Sequence, residues 1–289
     1  MIFLDGLGVG ENDPHLNPLA AHPDLWPTRE HLPNWPGLHA RLLDACLGVD
    51  GLPQSATGQT ALLTGINAPG LLGRHLQGFP SSRLVEILHQ HSIFVRIQRC
   101  GLRGTFANAY RHPEDIKPGS RLSVTSQALR VSGQPFRSVT QIASGEALYH
   151  DFSNRTLREQ GYSAPLFAPR KAGHILVKLA RQHDFTLYEH FLTDVVAHRG
   201  DKRQIARQVD DVSTFVRTIL ETIDTRSLTL VITSDHGNIE DCSTKTHTRN
   251  PVPLLWIGSS ELTEEHLPED ITGVTPWVLS LLNCRDRIS

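Results

Sequence analysis

Short apolar runs alternate with amphipathic segments along much of this 289-residue chain. The runs at residues 2–4, 185–191, 230–233 and 251–258 are rich in β-branched, aromatic and other apolar residues, as the strands of a buried sheet are. Apolar residues between positions 201 and 223 recur every three or four residues, which is typical of a long helix packed on a sheet. The alternation predicts an α/β protein with a mainly parallel sheet.

Shorter elements extend the same pattern. Helical spacing predicts helices at residues 38–47, 83–89, 171–182 and 271–282, and apolar runs predict strands at 93–97 and 104–110. Another helix is predicted to begin at Ser55 and to end at Gly65, because glycine is a common helix terminator. Residues 11–36 are rich in Pro, His and Asn without periodicity, and they predict a long loop over the rim of a site.

The segment from residue 111 to residue 170 interrupts the alternation. Pro, Gly, Ser and Arg are frequent there, and only residues 123–131 and 138–148 have helical spacing. The chain length allows one large α/β domain or one domain with a modest insertion. We therefore predict a discontinuous core of residues 1–110 and 171–289, with residues 111–170 as a small cap or a set of elaborated loops.

Composition excludes several classes of protein. Lys plus Arg is 28 against 30 acidic residues, a formal net charge of -2, which gives no electrostatic footprint for nucleic acid or an anionic membrane. No apolar run approaches the roughly 20 residues of a membrane span, and no signal-peptide pattern is visible. Cys46, Cys100, Cys242 and Cys284 form no CxxC pair and suit a reduced compartment. We expect a cytoplasmic protein.

Polar residues end two of the predicted strands. Asp235 and His236 follow the run at 230–233, with His247 further along the chain, and Asp5 follows the first strand and precedes a Gly-rich turn. A polar turn with a capping Asp would give the same local pattern. A dinucleotide site is disfavoured, because the turn is not GxGxxG and an Asp there would repel a pyrophosphate. Since parallel sheets place their sites at the carboxyl edge, these residues indicate a metal site.

Three further residues have two interpretations each. Asp194 and His198 are four positions apart, so a helical turn would place them on one face, either as a simple contact or as metal ligands. Ser55 is either an N-cap or a nucleophile at a helix start, where a phosphate is favoured, and both roles can coexist.

The candidates gain specificity as a set. They are Asp5, Ser55, Asp194, His198, Asp235, His236 and His247. Mixed Asp and His ligands suit two divalent ions such as Mn2+ or Zn2+. Such a pair can stabilise both the attacking and the leaving oxygen of a phosphoryl transfer. The set therefore indicates metal-dependent chemistry on a small phosphorylated substrate.

The same residues resemble the motifs of the alkaline phosphatase superfamily, and within it the branch of cofactor-independent phosphoglycerate mutase and phosphopentomutase. The resemblance covers the two ends of the chain. Its motifs are Asp5-Gly6-x-Gly8, Gly51-Leu52-Pro53 through Gly58, Asp194-x-x-x-His198, Asp235-His236-Gly237-Asn238, and Thr246-His247-Thr248 with Val252-Pro253. It implies an alkaline phosphatase-like three-layer sandwich with a mainly parallel sheet.

The resemblance also implies a role for each candidate. The first ion would be held by Asp5, Ser55, Asp235 and His236, and the second by Asp194, His198 and His247. Ser55 would be the nucleophile and would form a phosphoserine, with Thr57 and Thr60 as rival hydroxyls. Asn238 would orient a ligand or simply form a turn.

The chain also departs from the mutases. Gln59 stands where they carry His, and the middle segment shows no resemblance. Groups of the rim are candidates for holding a substrate phosphate, but we expect each of them to be solvated surface. These groups are Arg74, His75, Arg111, His112, Lys117, Arg121 and Tyr149-His150-Asp151.

We expect hydrolysis of a small phosphomonoester. A mutase needs a closing domain that keeps water from its phosphoenzyme, and residues 111–170 are short for that task. One alternative is a phosphomutase acting on a sugar phosphate or phosphoglycerate. The other is a non-catalytic metal-binding or ligand-binding protein, against which the intact set of Ser55 and the other ligands argues.

Overall fold

A six-stranded sheet forms the centre of the protein. The computed structural model describes residues 1–117, 119–258 and 267–284. In spatial order the strands are β2 (His39–Leu43), β8 (Val252–Ile257), β7 (Leu230–Thr233), β1 (Ile2–Leu4), β6 (Phe185–His190) and β3 (Gly104–Phe106). β8 is antiparallel to both of its neighbours, and the other adjacent pairs are parallel. The predicted mainly parallel sheet is confirmed.

The register of the central strands brings three chain segments to one edge. On β1, Leu4 aligns with His190 of β6 and Phe3 aligns with Thr233 of β7. All three strands point the same way, so the residues that follow them leave the sheet side by side. This edge is where the candidate site lies.

Helices cover both faces of the sheet. The first face carries α1 (Ser55–Thr64), α2 (Ala68–Leu72), α3 (Ser82–His91), α4 (Ile93–Arg99), α5 (Val124–Val131) and α11 (Val274–Leu281), and the second carries α8 (Pro169–Ala180), α9 (Leu192–Arg199) and α10 (Lys202–Thr222). Side chains alternate across the strands: Phe3 packs in the first layer, and Ile2 and Leu4 pack in the second. The result is the predicted three-layer sandwich.

The segment predicted as an insertion belongs partly to the main core. Helix α5 packs with Val124, Ala128 and Leu129 in the apolar cluster of the first face. The segment also carries α6 (Thr140–Ala143), α7 (Arg155–Glu159) and β5 (Arg137–Ser138), which pairs with β4 (Ala109–Tyr110) just before the segment. Its own cluster of buried residues is Ala109, Ile142, Ala147, Tyr149, Leu157 and Ala164. Beyond α5, the segment therefore has a small core.

The helix predicted at residues 38–47 is wrong. This segment contains strand β2, which pairs with β8 so that Ala40 aligns with Leu255. Strand β2 hydrogen-bonds with the backbone N–H and C=O groups along the edge of β8. A helix at these residues would have left those groups of β8 unpaired. Tertiary context here overrides the local pattern.

The strand predicted at residues 93–97 is also wrong, because these residues form α4. Ser92 caps the helix, with its Oγ accepting a hydrogen bond from the backbone N–H of Val95 at 3.4 Å. Ile93, Phe94 and Ile97 are buried, a spacing that also suits one face of a helix. A short apolar run of this length does not distinguish a strand from a buried helix. Of the helix predicted at 138–148, only α6 forms.

Two cysteines pair in the fold. Cys100, after α4, and Cys284, after α11, form a disulfide with a Cα–Cα distance of 5.6 Å across a sequence separation of 184 residues. This corrects the expectation of four reduced cysteines, since spacing alone gave no sign of the pair. Cys46 and Cys242 are free. Within the described residues, no helix has the length and apolar character to cross a membrane, and the cytoplasmic location stays a prediction.

Candidate metal centre

Polar side chains from three adjacent strands meet at the carboxyl edge of the sheet. Asp5 follows β1, Asp235 and His236 follow β7, and Asp194 lies on α9, which begins just after β6. His247 reaches the same place from the loop before β8, where Gly237 and Thr248 form an isolated antiparallel bridge. Because adjacent strands lie about 4.8 Å apart, residues distant in sequence become neighbours here.

Asp5, Asp235 and His236 form the first group of potential ligands. One donor atom from each lies within 4.8 Å of the others, and all three residues are buried. Nε2 of His236 is 3.3 Å from Oδ1 of Asp5 and 3.5 Å from Oδ2 of Asp235. Oγ of Ser55 lies 3.0 Å from the same nitrogen. The structure thus brings together the four residues predicted for one ion.

Asp194, His198 and His247 form the second group. The two carboxylate oxygens of Asp194 lie 3.4 Å from Nε2 of His198 and 3.4 Å from Nε2 of His247. The two Nε2 atoms are 3.1 Å apart. The rings of His247 and His236 stack with centroids 3.8 Å apart, so the two groups are contiguous.

The histidines are held in one orientation. Each Nδ1 lies near a backbone carbonyl oxygen: His198 near Lys245 (2.7 Å), His247 near Pro53 (2.7 Å) and His236 near Gly237 (3.3 Å). An Nδ1–H that donates to a carbonyl leaves the lone pair on Nε2. Since all three Nε2 atoms face the carboxylates, the imidazoles are presented as metal ligands are.

Buried carboxylate oxygens of the first group lack hydrogen-bond partners. Both carboxylate oxygens of Asp235 and Oδ1 of Asp5 are buried and have no hydrogen-bond partner among the described residues. Burial and the nearby Asp5 carboxylate raise the pKa of Asp235 well above its ordinary value. Burial lowers the pKa of His236, but the carboxylates of Asp235 and Asp5 outweigh it and raise that pKa to about 10. Uncompensated buried carboxylates are costly, so a divalent cation fits this donor set.

The second group carries its own negative charge. Burial raises the pKa of Asp194, but the hydrogen bond with His247 and the charge of His236 reverse this effect, and the pKa falls to about 2. Asn238 donates a hydrogen bond from Nδ2 to Oδ1 of Asp194 at 2.7 Å. The predicted orienting role of Asn238 therefore has a contact to support it.

The hydroxyl groups near Ser55 differ in what they contact. Oγ1 of Thr57 donates to the carbonyl of Gln54 at 3.2 Å, and Oγ1 of Thr60 donates to the carbonyl of Ala56 at 2.7 Å. Both threonines are fully buried, whereas Ser55 is partly exposed and faces His236. Ser55 is the first residue of α1, with Gln54 at the N-cap. The geometry favours Ser55 over its rivals as the nucleophile.

Gln59 occupies the position at which the mutases carry His. Its Nε2 donates a hydrogen bond to Oδ2 of Asp5 at 3.1 Å. An amide has no charge to add, so Gln59 orients Asp5 without competing with a cation. This contact leaves Oδ1 of Asp5 directed at His236.

Glu240 is a residue that the motif analysis missed. Its Oε2 accepts hydrogen bonds from the backbone N–H groups of Gly8 at 2.9 Å and Asn238 at 2.7 Å. Its Oε1 accepts from the Thr248 hydroxyl and, at 3.0 Å, from Nδ2 of Asn250. One buried carboxylate thus joins the three loops that carry Asp5, His236 and His247. The sequence feature that could have identified Glu240 is its position two residues after the Asp-His-Gly-Asn motif.

Two glycines are required where the loops approach. A Cβ on Gly8 would lie 2.4 Å from the carboxyl carbon of Glu240. Gly6 has a φ of +70°, and a Cβ there would lie 2.7 Å from Oδ1 of Asp194. The Asp-Gly-x-Gly turn is therefore explained by steric contact and by a left-handed backbone.

Sequence comparison places the chain in a family. The profile of the metalloenzyme superfamily matches residues 1–283. The chain belongs to this superfamily. Among similar proteins, the 2,3-bisphosphoglycerate-independent phosphoglycerate mutase of Desulforudis audaxviator is 28% identical over 124 residues, which cover 41% of this chain and 24% of the mutase. The enzyme of the same name from Pyrococcus abyssi is 29% identical over 89 residues, or 31% and 21% of the two chains.

The superfamily assignment agrees with the fold. The matches with the two phosphoglycerate mutases span about a quarter of the length of those enzymes. The PH0037 protein of Pyrococcus horikoshii has a TM-score of 0.60 at 14% identity, covering 100% of this chain and 97% of its own. Alkaline phosphatase from the Antarctic bacterium TAB5 has a TM-score of 0.52 at 12% identity, with 98% of each chain covered. This metalloenzyme superfamily member therefore has an alkaline phosphatase-like fold.

Proposed function

We propose that this protein is a phosphatase that hydrolyses a small phosphomonoester through a phosphoserine formed on Ser55. The observation that carries the proposal is the position of the Ser55 hydroxyl, 3.0 Å from Nε2 of His236 and beside two adjoining groups of Asp and His side chains. The first group, with Ser55, and the second group would each hold one divalent ion, Mn2+ or Zn2+. Bound ions would supply positive charge that lowers the pKa of the Ser55 hydroxyl and neutralises the phosphoryl oxygens.

The residues of the chain support two displacement steps. Oγ of Ser55 gives its proton to solvent and attacks phosphorus, the ester P–O bond breaks, and the alcohol leaves with a proton taken from solvent. Water then attacks the phosphoserine, which releases inorganic phosphate and restores the hydroxyl. The N-terminus of α1, where Ser55 lies, favours the phosphoryl group through its unpaired N–H groups and dipole.

The size of the cap supports hydrolysis rather than mutation. A mutase has to exclude water while its substrate reorients. Here α5 packs on the main core, Leu148 and Phe152 pack in the cluster of the second face, and the rest of the described segment contributes to a small separate cluster. A cap of this size leaves the phosphoserine accessible to water.

A phosphomutase acting on a sugar phosphate or phosphoglycerate is the alternative, and the mutase names of the similar proteins favour it. A non-catalytic metal-binding protein is the alternative from another class. An accessible Ser55 hydroxyl beside the ligand groups argues against loss of turnover.

The test is an assay on protein stripped with a chelator and resupplied with Mn2+ or Zn2+. A panel of phosphomonoesters is incubated with the protein, and both free phosphate and positional isomers are quantified. We expect metal-dependent phosphate release. Clean isomerisation with negligible phosphate would establish the mutase, and absence of turnover with every metal would establish the non-catalytic alternative.

A further inference from the structure

A cavity of about 490 Å³ lies beside the end of β6, from which α9 leads to Asp194 of the candidate metal centre. Its floor is formed by the ends of β3 and β6, through Phe106 and Glu189, and its walls by the segment predicted as a cap, including Arg111, Arg121 and Tyr149. The volume lies within the range of pockets that bind small organic molecules. The proposed chemistry at Ser55 does not itself account for this cavity, which we name the side pocket.

The side pocket is joined to the metal centre by β6 and α9. Phe191 lines the pocket and lies three positions before Asp194, where β6 passes into α9. The carbonyl of His190, between Glu189 and Phe191, accepts a hydrogen bond from the backbone N–H of Asp5 at 3.0 Å. Glu189 of the pocket therefore lies on the strand beside the one that Asp5 follows.

The walls of the pocket are aromatic. Tyr149 and Asp151 are buried, which corrects the expectation that they would be solvated surface. The ring of His150 lies between those of Tyr149 and Phe191, with centroid distances of 4.1 and 4.3 Å. At the rim, the guanidinium of Arg121 lies over the ring of Phe79, 4.2 Å from its centroid. Such surfaces stack with flat rings of other molecules, as they do with nucleobases.

Glu189 places a hydrogen-bonding group at the floor. Its backbone is fixed by Asn108, which donates from Nδ2 to the Glu189 carbonyl at 2.8 Å and accepts from its N–H at 3.0 Å. Within the described chain, the Thr125 hydroxyl is the side-chain donor to this carboxyl, and it reaches Oε2. Burial raises the pKa of Glu189 to about 8. The carboxyl is therefore mostly protonated at neutral pH and can both donate and accept.

The charges of the pocket argue against a small acidic ligand. Arg111 is engaged by Asp115, with Nε 3.4 Å from Oδ2, and donates to Gln160 at 3.0 Å. A three-carbon acid would also leave most of the cavity unfilled.

We infer that the side pocket holds the alcohol part of the substrate and that this alcohol is a nucleoside. The polar edge of its base hydrogen-bonds to Glu189. The inference rests on the proposed phosphatase function and names its substrate class, a nucleoside monophosphate. Base stacking on the aromatic wall supplies affinity, and Glu189 supplies selection for a polar edge.

The test has a binding arm and a kinetic arm. Calorimetry measures adenosine and glycerol binding to the full chain without added metal, and kcat/KM is measured for adenosine monophosphate and glycerol phosphate with metal. We expect adenosine to bind and glycerol not to bind. We expect kcat/KM for the nucleotide to exceed that for glycerol phosphate by about tenfold or more, the effect of a single stacked base.

Variants locate the binding to this pocket. Glu189→Ala should weaken adenosine binding by about tenfold, and Glu189→Gln should restore it because an amide also donates and accepts. Arg121→Ala, at an exposed position, should weaken adenosine binding by about threefold to tenfold, because it removes the guanidinium at the rim of the pocket. Glu86→Ala, which removes an exposed glutamate of α3, is the matched control and should have no effect.

The two hypotheses fail in different ways. Absent adenosine binding, or binding unchanged by both Glu189→Ala and Arg121→Ala, would overturn the side-pocket inference even if glycerol phosphate is hydrolysed. Adenosine binding that depends on these residues would support the inference even if no phosphomonoester is turned over, and it is then the proposed function that fails.

Discussion

Nε2 of His236 lies 3.0 Å from Oγ of Ser55, although 181 positions separate the two residues in sequence. The contact joins the end of β7 to the start of α1. It places the only partly exposed hydroxyl among Ser55, Thr57 and Thr60 beside the first ligand group. The first prediction follows from this relationship.

Ser55→Ala should lower kcat for phosphomonoester hydrolysis by about 10³-fold or more, since it removes the nucleophile. Thr57→Ala and Thr60→Ala remove hydroxyls that bond only to the backbone, and they should change kcat far less. The measurement is steady-state phosphate release, with mass spectrometry of acid-quenched enzyme to find the phosphopeptide. A phosphate on Thr60 would contradict the assignment of the nucleophile.

His198→Ala should lower the metal content of the protein from two ions per chain to one. His198 belongs to the second group only, and its side chain is 30% exposed, so the fold should tolerate the change. Elemental analysis after resupply with Mn2+ or Zn2+ is the measurement, with His89→Ala on α3 as the control. A wild-type content that never exceeds one ion would disprove the two-metal arrangement.

Glu240→Gln should lower the free energy of unfolding by about 2–4 kcal/mol, because the amide nitrogen would face donors that now reach a buried carboxylate. It should also weaken metal binding by about tenfold or more, since three ligand loops lose their common anchor. Urea denaturation and competition with a coloured chelator measure the two effects. Glu86→Gln is the control, and equal stability of the two variants would contradict the anchoring role.

Glu189→Gln should flatten the dependence of stability on pH. Burial raises the pKa of Glu189 from 4.5 to about 8, so the folded protein binds a proton that the unfolded chain has released within this window. The free energy of unfolding of the wild type should therefore fall as pH rises from 4.5 to 8, and the contribution of Glu189 is absent in the variant. Urea denaturation across the window measures this effect. Parallel profiles for the two proteins would refute the prediction.

The sequence alone predicted the fold class of the protein and named the candidate residues of its site. Apolar runs ending at Asp5 and Asp235 indicated parallel strands with a site at their carboxyl edge, and the long period from 201 to 223 predicted α10. These signals are local. Each depends only on residues close together in sequence: the apolar run of a strand, the period of a helix and the residue type at a strand end. The superfamily profile bears out the family resemblance on which the ligand sets rest.

Only the tertiary structure decided features that depend on distant neighbours. Residues 39–43 form a strand because β8 offers an edge, and Cys100 meets Cys284 because α4 and α11 share a layer. Glu240 becomes an anchor, and Glu189 the floor of a pocket, only when loops far apart in sequence surround them. Burial and long-range contacts set these roles, and neither is encoded in the spacing of residues along the chain.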